Sequence, residues 1–558
     1  MPAREMSRED QAIARFAERD TKVAGGREKK PAQADLLVQL AHELFTFGHT
    51  TTVEPFALPI VGPRIAMIFR GSRDALRATL ARAYRDTHGS TPRASALADA
   101  ITELQGEALD ARASEVHLRV AEHDGGVVLD LGRDEGQVVH VTPAGWKILE
   151  DSPVVFRRTA LTGAFPIPEA GGSVDMLKAL ANVSDETWQL VVGWVVASYL
   201  PAIPHPVLML GGEQGSGKTT LARILVALSD PSPAPVRSQP TDPEAWATAA
   251  SGSWVVAIDN VSTIPSWWSD CICKAVTGDG VVRRKLYTDS ELAVLSFKRA
   301  VMLTSIDAGA LRGDLGDRIL LADLEPIPES SRRSEAELHA YLGDNAPKLF
   351  GAILSIVSKV LERLSQVELT NLPRMADFAR VLAAMDQTIG TQALKAYLGQ
   401  RGRIVQEVLE SDEVGGAILA LAANTPMPWK GSASELLKAI TPAGPRTHGW
   451  PPNPRALSAR LARLAPALRQ SGVLVQRNEG RRGHGGLWAV EKVIKQQPAQ
   501  PAQPCATGKA EGGQAAVNVD RVAVGERCRV SAESESGGHG GSGGLSPPFS
   551  RDDEEEVA

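Results

Sequence analysis

The stretch that most constrains the fold runs from Pro206 to Thr220, PVLMLGGEQGSGKTT. Val207 to Leu210 form an apolar run that reads as a buried strand. Gly212 and Gly217 then bracket Glu213, Gln214, Gly215 and Ser216, and Lys218, Thr219 and Thr220 follow at once. Leu221 to Leu228 continue as an apolar helix. A strand that turns through glycines directly into a helix gathers backbone N–H groups and a positive helix end around one point. That point suits a phosphate. In this pattern Lys218 is expected to reach the β- and γ-phosphates, and the Thr219 hydroxyl to hold Mg²⁺. ATP and Mg²⁺ are therefore the expected cofactors, bound along residues 212–220.

An acid is needed beside that loop. Ser253-Trp-Val-Val-Ala-Ile-Asp259 is an apolar run ending in a carboxylate, about forty residues downstream. Such a strand brings Asp259 out beside the loop as a second Mg²⁺ holder. Ala300 to Thr304 reads as a third strand ending in the hydroxyls of Thr304 and Ser305, and Ile319 to Leu324 as a fourth. Strands separated by helices predict a right-handed parallel sheet with nucleotide at the strand C-termini.

Around this α/β core the 558 residues divide further. Residues 1–30 are polar and read as disordered. Residues 31–170 read as a small α+β region: helices over Gln33–Phe45, Asp74–Tyr84 and Ser95–Leu104, then β-branched segments from Val116 to Leu149. The strands Phe56–Ile60 and Arg64–Phe69 lie between the first helices. Asp130, Asp134 and Glu135 sit near a hairpin there; a two-metal site would need such carboxylates, but acids in a glycine-containing turn read as turn residues. Residues 171–330 are the core, opened by helices over Val174–Leu180 and Glu186–Tyr199. The loop Ser229 to Pro235 reads as rigid and exposed. Residues 331–410 are helical and expected to form a lid. Residues 496–558, rich in Gln, Pro, Ala, Gly and Ser, read as a disordered tail.

The net charge of −6 hides an uneven distribution. From Lys430 to Lys492 there are eleven Lys/Arg against three acids. In residues 425–495, Asn453-Pro454 starts a helix whose Leu457, Leu461, Leu464 and Leu468 form one stripe, with Arg460 and Arg463 off it. Pro466 is expected to kink or end that helix. A hairpin follows, its tip carrying Arg481 and Arg482. Two helices and a basic-tipped hairpin suit a winged-helix-like domain on duplex DNA. No apolar run is long enough for a membrane span. The first residues lack a signal-peptide core, so a cytoplasmic protein is expected. Cys271 and Cys273, with no second pair, read as ordinary thiols rather than metal ligands.

The order of these features resembles the AAA+ ATPases, and within them the superfamily-three helicases of phages and plasmids. Those helicases follow the acidic strand with Lys-x-x-x-Gly-Gly-Asp and a basic hairpin; here Lys274-Ala-Val-Thr-Gly278-Asp279-Gly280 precedes Arg283, Arg284 and Lys285. The resemblance implies that these four cations contact single-stranded or forked DNA. It also implies that Thr304 or Ser305 senses the γ-phosphate, and that Arg318, or else Arg312, acts as an arginine finger in a homo-oligomeric ring. FRRTALTG, GEQGSGKTT, SGSWVVAIDN and LPRMADFARV look more closely like the ATP-binding proteins of actinobacterial phages and integrative elements. Helicase-type primases carry an upstream polymerase or zinc domain; neither is found here, so priming is left to a separate primase. Asn260 stands where most such hydrolases place a Glu that activates water, and an amide cannot accept that proton. The expected function is an ATP-dependent DNA-handling motor, helicase or helicase-loader-like. The alternative is a DNA-binding regulator that uses ATP as a switch.

Overall fold

The computed structural model describes residues 31–69, 76–278, 280–284, 292–296, 298–305, 313–370, 372–424, 428–442, 450–478 and 487–492. The termini read as disordered, together with Lys285, Arg312, Arg481 and Arg482, lie outside these residues.

The described residues open with α1 (Gln33–Leu44), β1 (Phe45–Thr50), β2 (Pro55–Pro59), β3 (Met67–Ile68), α2 (Leu76–His88), α3 (Ala94–Asp110) and β4 (Ala113–Ser114). The strands form one sheet in the order β3-β2-β1-β4. Leu37, Leu76, Leu80 and Leu104 of the helices share a core with Phe45 and Ala57 of the sheet. The strand β1 was hidden at the end of the helical periodicity. Phe45, Gly48 and Thr50 are buried there, and the chain turns back at once into β2.

Next come β5 (Val116–His117), β6 (Val120–His123), β7 (Gly126–Asp130), β8 (Val138–Thr142), β9 (Gly145–Leu149) and β10 (Val155–Phe156). Strands β6 to β9 form an antiparallel meander. Asp130 is not a turn residue. It is fully buried, accepts from the Arg158 guanidinium at 2.7 and 2.9 Å, and also accepts the Gly132 N–H. A carboxylate can be buried this deeply only when paired and hydrogen-bonded, as this one is.

The helices α4 (Asp175–Lys178) and α5 (Asp185–Ser198) lead into β11 (Val207–Gly211), α6 (Lys218–Ser229), α7 (Pro243–Ser251) and β12 (Val255–Ile258). Then follow α8 (Ser266–Thr277), β13 (Gly280–Arg284), β14 (Leu292–Ser296), β15 (Ala300–Thr304), α9 (Gly313–Gly316) and β16 (Ile319–Asp323). Four strands make a parallel sheet in the order β12-β15-β11-β16, with Leu208 level with both Met302 and Leu320. All four C-terminal ends therefore open on one edge. Chain order does not reveal that β15 lies between β11 and β12. The strands β13 and β14 pair as an antiparallel hairpin, with Arg283 opposite Ala293.

The helices α10 (Glu335–Leu364), α11 (Ala376–Ile389) and α12 (Ala393–Ser411) were expected as a lid. Instead, their apolar faces bury into the same core as α5, β11 and the β6–β9 meander. A Cβ at Gly193 would stand 2.3 Å from Leu382 Cδ2, which shows how closely α5 and α11 approach. Phe165 stacks on Phe350 with centroids 4.6 Å apart, so the core also runs across the boundary expected at residue 171.

The loop after α6 is likewise not exposed throughout. Asp230 is 4% exposed and accepts from Arg119 Nε at 2.7 Å and from the N–H groups of Trp254 and Val255. Arg119 also donates to the carbonyls of Asp130, Gly163 and Pro231. Proline-rich composition suggested a surface loop, but a buried guanidinium needs every donor satisfied and draws this loop inward.

The last part contains α13 (Glu413–Asn424), β17 (Trp429–Gly431), α14 (Ala433–Ile440), α15 (Pro454–Gln470), β18 (Val473–Asn478) and β19 (Leu487–Lys492). Its sheet runs β17-β19-β18. Asn453 caps α15 through the Ala456 N–H at 2.9 Å. Pro466 neither ends nor interrupts α15, which continues to Gln470 and buries Leu468 with the rest of the stripe. Sequence patterning missed α13 and β17.

Candidate nucleotide site and cationic surfaces

The turn from β11 to α6 is built by glycine conformations. Gly212, Gly215 and Gly217 have φ of 133, 83 and 88°, in the region that favours glycine. At Gly212 space also forbids a side chain, since a Cβ would stand 2.6 Å from the Leu324 carbonyl oxygen. The Lys218 ammonium folds back on the carbonyls of Gly212 and Glu213, at 2.7 Å each. Partial burial pulls its pKa below the usual lysine value, and Asp259 pushes it back up.

Beside this loop three hydroxyl and carboxylate groups converge. Thr219 Oγ1 donates to Asp259 Oδ1 at 2.9 Å, and Thr304 Oγ1 donates to the same oxygen at 2.5 Å. The Asn260 N–H donates back to Thr304 Oγ1 at 2.8 Å. Asn260 holds φ of 55°, the left-handed region that Asn tolerates and Glu does not favour. Its side chain is exposed. Ser305 lines the same cavity, but its hydroxyl donates to the Val261 carbonyl at 2.8 Å. Of the two hydroxyls expected at the end of β15, Thr304 faces the Asp259 cluster.

These groups line a cavity of about 1010 Å³ that also includes Gln214, Ser216, Thr220, Asn182 and Ile327. The Ser216 hydroxyl is buried with no hydrogen-bond partner among the described residues. An orphaned hydroxyl, a loop that excludes side chains and a lysine held only by carbonyls all fit an incoming phosphate. One hydroxyl and one carboxylate fit Mg²⁺, which usually keeps water and phosphate ligands for its other positions. No cluster of three or more His, Cys, Asp or Glu able to hold a metal occurs among the described residues, Cys271 and Cys273 included. Patterning missed Arg332 and Arg333, which reach the same cavity from just before α10. Their only signal was a basic pair ahead of the Ser334 cap.

Arg318 does not line its own chain's cavity. Its carbonyl accepts the Val207 N–H, at the start of β11 rather than at the loop. The length of the strand separates those two edges by about 13 Å. Asp317 beside it lies 3.7 Å from Arg374. Lys274 is on the last turn of α8, and Arg283 and Arg284 are on β13. Arg463 is exposed, but Arg460 is half-buried against Asp412 at 2.8 Å. Lying off the leucine stripe therefore did not make Arg460 a free surface cation.

A mixed α/β protein with a parallel sheet and a glycine-turned strand-to-helix loop is the class these features define. Residues 174–404 match the family model of the actinomycete integrative conjugative element replication protein, and residues 414–503 match the C-terminal domain model of the same replication protein. The two matches fit a replication protein of an actinomycete mobile element. No curated protein matches the chain. Among solved structures, the apo NrS-1 C-terminal region (305–718) is 11% identical, covering 83% of this chain and 100% of that one at a TM-score of 0.37. JCV helicase, solved with a bound small molecule, is 12% identical over 40% of this chain and 67% of that one, at 0.20. Likenesses this distant carry no argument here. No described helix is long and apolar enough to cross a membrane.

Proposed function

We propose that the chain is an ATP-dependent DNA-handling motor, a helicase or helicase loader, acting in replication of a phage or mobile element. The observation that carries this reading is the convergence of Thr219, Thr304 and Asp259 beside the Lys218 loop. Lys218 binds the terminal phosphates, and Gly212 to Thr220 wrap them with N–H groups. Thr219 and Asp259 hold Mg²⁺, which when bound screens phosphate charge. Thr304 senses whether a γ-phosphate is present, a role supported by its hydrogen bonds to Asp259 and the Asn260 backbone. Arg318, remote from its own cavity, acts on a neighbour's in a homo-oligomeric ring.

DNA is met at two places. The β13–β14 hairpin carries Arg283 and Arg284 toward a single or forked strand, with Lys274 just before it. The α14–α15 pair with the β17-β19-β18 sheet has the layout of a winged helix, α15 suiting the major groove of duplex DNA. Arg463 is one of its exposed cations, with Arg455 and Arg469 on the same helix.

One observation favours a second reading, a DNA-binding regulator for which ATP is a switch. Asp259 is the only carboxylate lining the cavity among the described residues, and Asn260 cannot serve as a base. Phosphate release measured with and without forked DNA separates the two. Stimulation by DNA supports the motor. Tight ATP binding with negligible release under both conditions supports the switch.

A further inference from the structure

A second polar cleft, of about 290 Å³, lies away from the nucleotide cavity. It is assembled from distant parts of the chain: the β1–β2 turn Thr50 to Glu54, His117 on β5, Arg157 after β10, and Lys298 and Arg299 after β14. Three cations face it, and Glu54 is its only carboxylate among the described residues. Arg157 is bound to Glu54 at 3.1 Å and to the Ser251 carbonyl at 3.2 Å. Lys298 donates to the carbonyls of Pro201 and Ala202, and Arg299 to those of Ala250 and Lys298. The carbonyls orient Lys298 and Arg299, while Glu54 offsets part of the Arg157 charge and Asp230 acts on Arg299. Burial, with Arg157 adding to it, pulls the Arg299 pKa down to about 9. The cleft thus concentrates positive charge in a partly desolvated place, where an anion is attracted most strongly.

The turn above these cations is held in an unusual shape. Val53 has φ of 62°, a rare conformation for a β-branched residue, and is 62% exposed. The Thr50 hydroxyl fixes the turn by bonding Thr52 Oγ1 at 2.9 Å and accepting the Glu54 N–H at 3.0 Å. Thr51 and Thr52 are left exposed on the cleft. Strain of this kind concentrates at ligand clamps. Lys298 and Arg299 also stand just past the end of β14, at the foot of the hairpin that carries Arg283 and Arg284.

We propose that this cleft binds a phosphate group of a DNA strand that passes the foot of the β13–β14 hairpin. Arg157 and the Thr51 and Thr52 hydroxyls contact the phosphate, and Lys298 and Arg299 supply the field. The inference rests on the DNA-handling reading and adds the N-terminal sheet to the DNA path.

The test uses the full chain and a fluorescent oligothymidylate over a salt series. Thr51→Glu puts a negative charge on the exposed turn without removing a fold contact, and Thr51→Gln controls for bulk. Thr51→Glu is expected to weaken binding about tenfold and to lower the log–log salt slope by about 0.7, whereas Thr51→Gln, which loses the hydroxyl contact but adds no charge, should weaken binding about threefold or less at an unchanged slope. A fluorescent ATP analogue, bound equally by all three proteins, checks the fold. Maleimide labelling of Thr51→Cys, read on the peptide containing residue 51, reports the cleft even if other surfaces dominate affinity. Oligothymidylate should slow this labelling at least threefold, and inorganic phosphate at equal ionic strength should not. Protection by inorganic phosphate alone would assign the cleft to a free anion and overturn the DNA assignment. No protection by either, in a protein that binds the oligonucleotide, would overturn the cleft and leave the DNA-handling reading standing. A wild-type chain that binds no DNA would end both.

Discussion

Thr219 and Asp259 are separated by forty residues and joined by a hydrogen bond of 2.9 Å. The pair spans the end of β15, because that strand lies between those that carry the loop and the acid. A hydroxyl and a carboxylate so close make a hard-oxygen pair for Mg²⁺. Asp259→Asn should keep nucleotide binding in EDTA and lose the gain that Mg²⁺ brings, by about tenfold or more. Calorimetry with and without Mg²⁺ checks this; an unchanged gain would move the metal elsewhere.

Asn260→Glu tests the missing base. General-base catalysis contributes about 10²–10⁴-fold, so steady-state hydrolysis should rise by at least tenfold if the absent carboxylate limits turnover. A Glu at this φ costs about 1 kcal/mol or more, so the melting temperature should fall slightly. A stable variant with wild-type turnover would mean that water is activated by another group.

Mixing subunits tests Arg318. Lys218→Ala should bind a fluorescent ATP analogue at least tenfold more weakly, since a charge-assisted contact is worth about 1.5–3 kcal/mol. Arg318→Ala keeps the loop and gives its neighbour no finger, a loss of about 10³-fold in turnover. Each should be nearly inactive alone, and a mixture should recover part of the activity. A co-assembled mixture that stays inactive would confine Arg318 to its own subunit.

Two arginines on α15 should behave differently. Arg463→Ala should lower the salt slope of duplex DNA binding by about 0.9. Arg460→Ala should instead destabilise the C-terminal part by about 1 kcal/mol, because it leaves Asp412 half-buried without its guanidinium. Equal effects on the slope would mean that both reach phosphate.

Acid should loosen the core through His205. Burial lowers its imidazole to about 4, whereas an unfolded histidine titrates near 6.5. Between those values the unfolded chain takes up a proton that the folded chain refuses. The stabilising difference is therefore complete above about pH 6.5 and fades as pH falls toward 4, by about 1.4 kcal/mol per unit. His205→Gln should flatten the loss of stability between pH 6.5 and 4.5 in urea titrations. An equally steep loss in the variant would assign it to other groups.

Much of this site could be read from residue order. An apolar strand, glycines at fixed spacing and a strand ending in Asp259 each carry a local physical signature. Long-range placement has none. That β15 separates β11 from β12 depends on how strands assort, and the position of Thr304 against Asp259 follows from it. Asn260 looked like a missing base, and its left-handed backbone became visible only in three dimensions. Asp130 and Asp230 looked like surface acids because their partners, Arg158 and Arg119, are distant in sequence. The three helices after Ser334 showed the right periodicity, but periodicity does not say which surface a helix will cover.

Arg119 has a consequence for where this chain can be cut. The family match begins at residue 174, whereas Arg119 lies well before it and holds Asp230 between α6 and the strand that ends before Asp259. A gene trimmed to the matched segment would leave that acid enclosed without its cation, a change that costs about 3–5 kcal/mol when a buried pair loses one member. The replication module is thus not a cassette whose left border coincides with its recognisable text. Its border lies upstream of the β6–β9 meander, and a transplanted version would need to carry that sheet along.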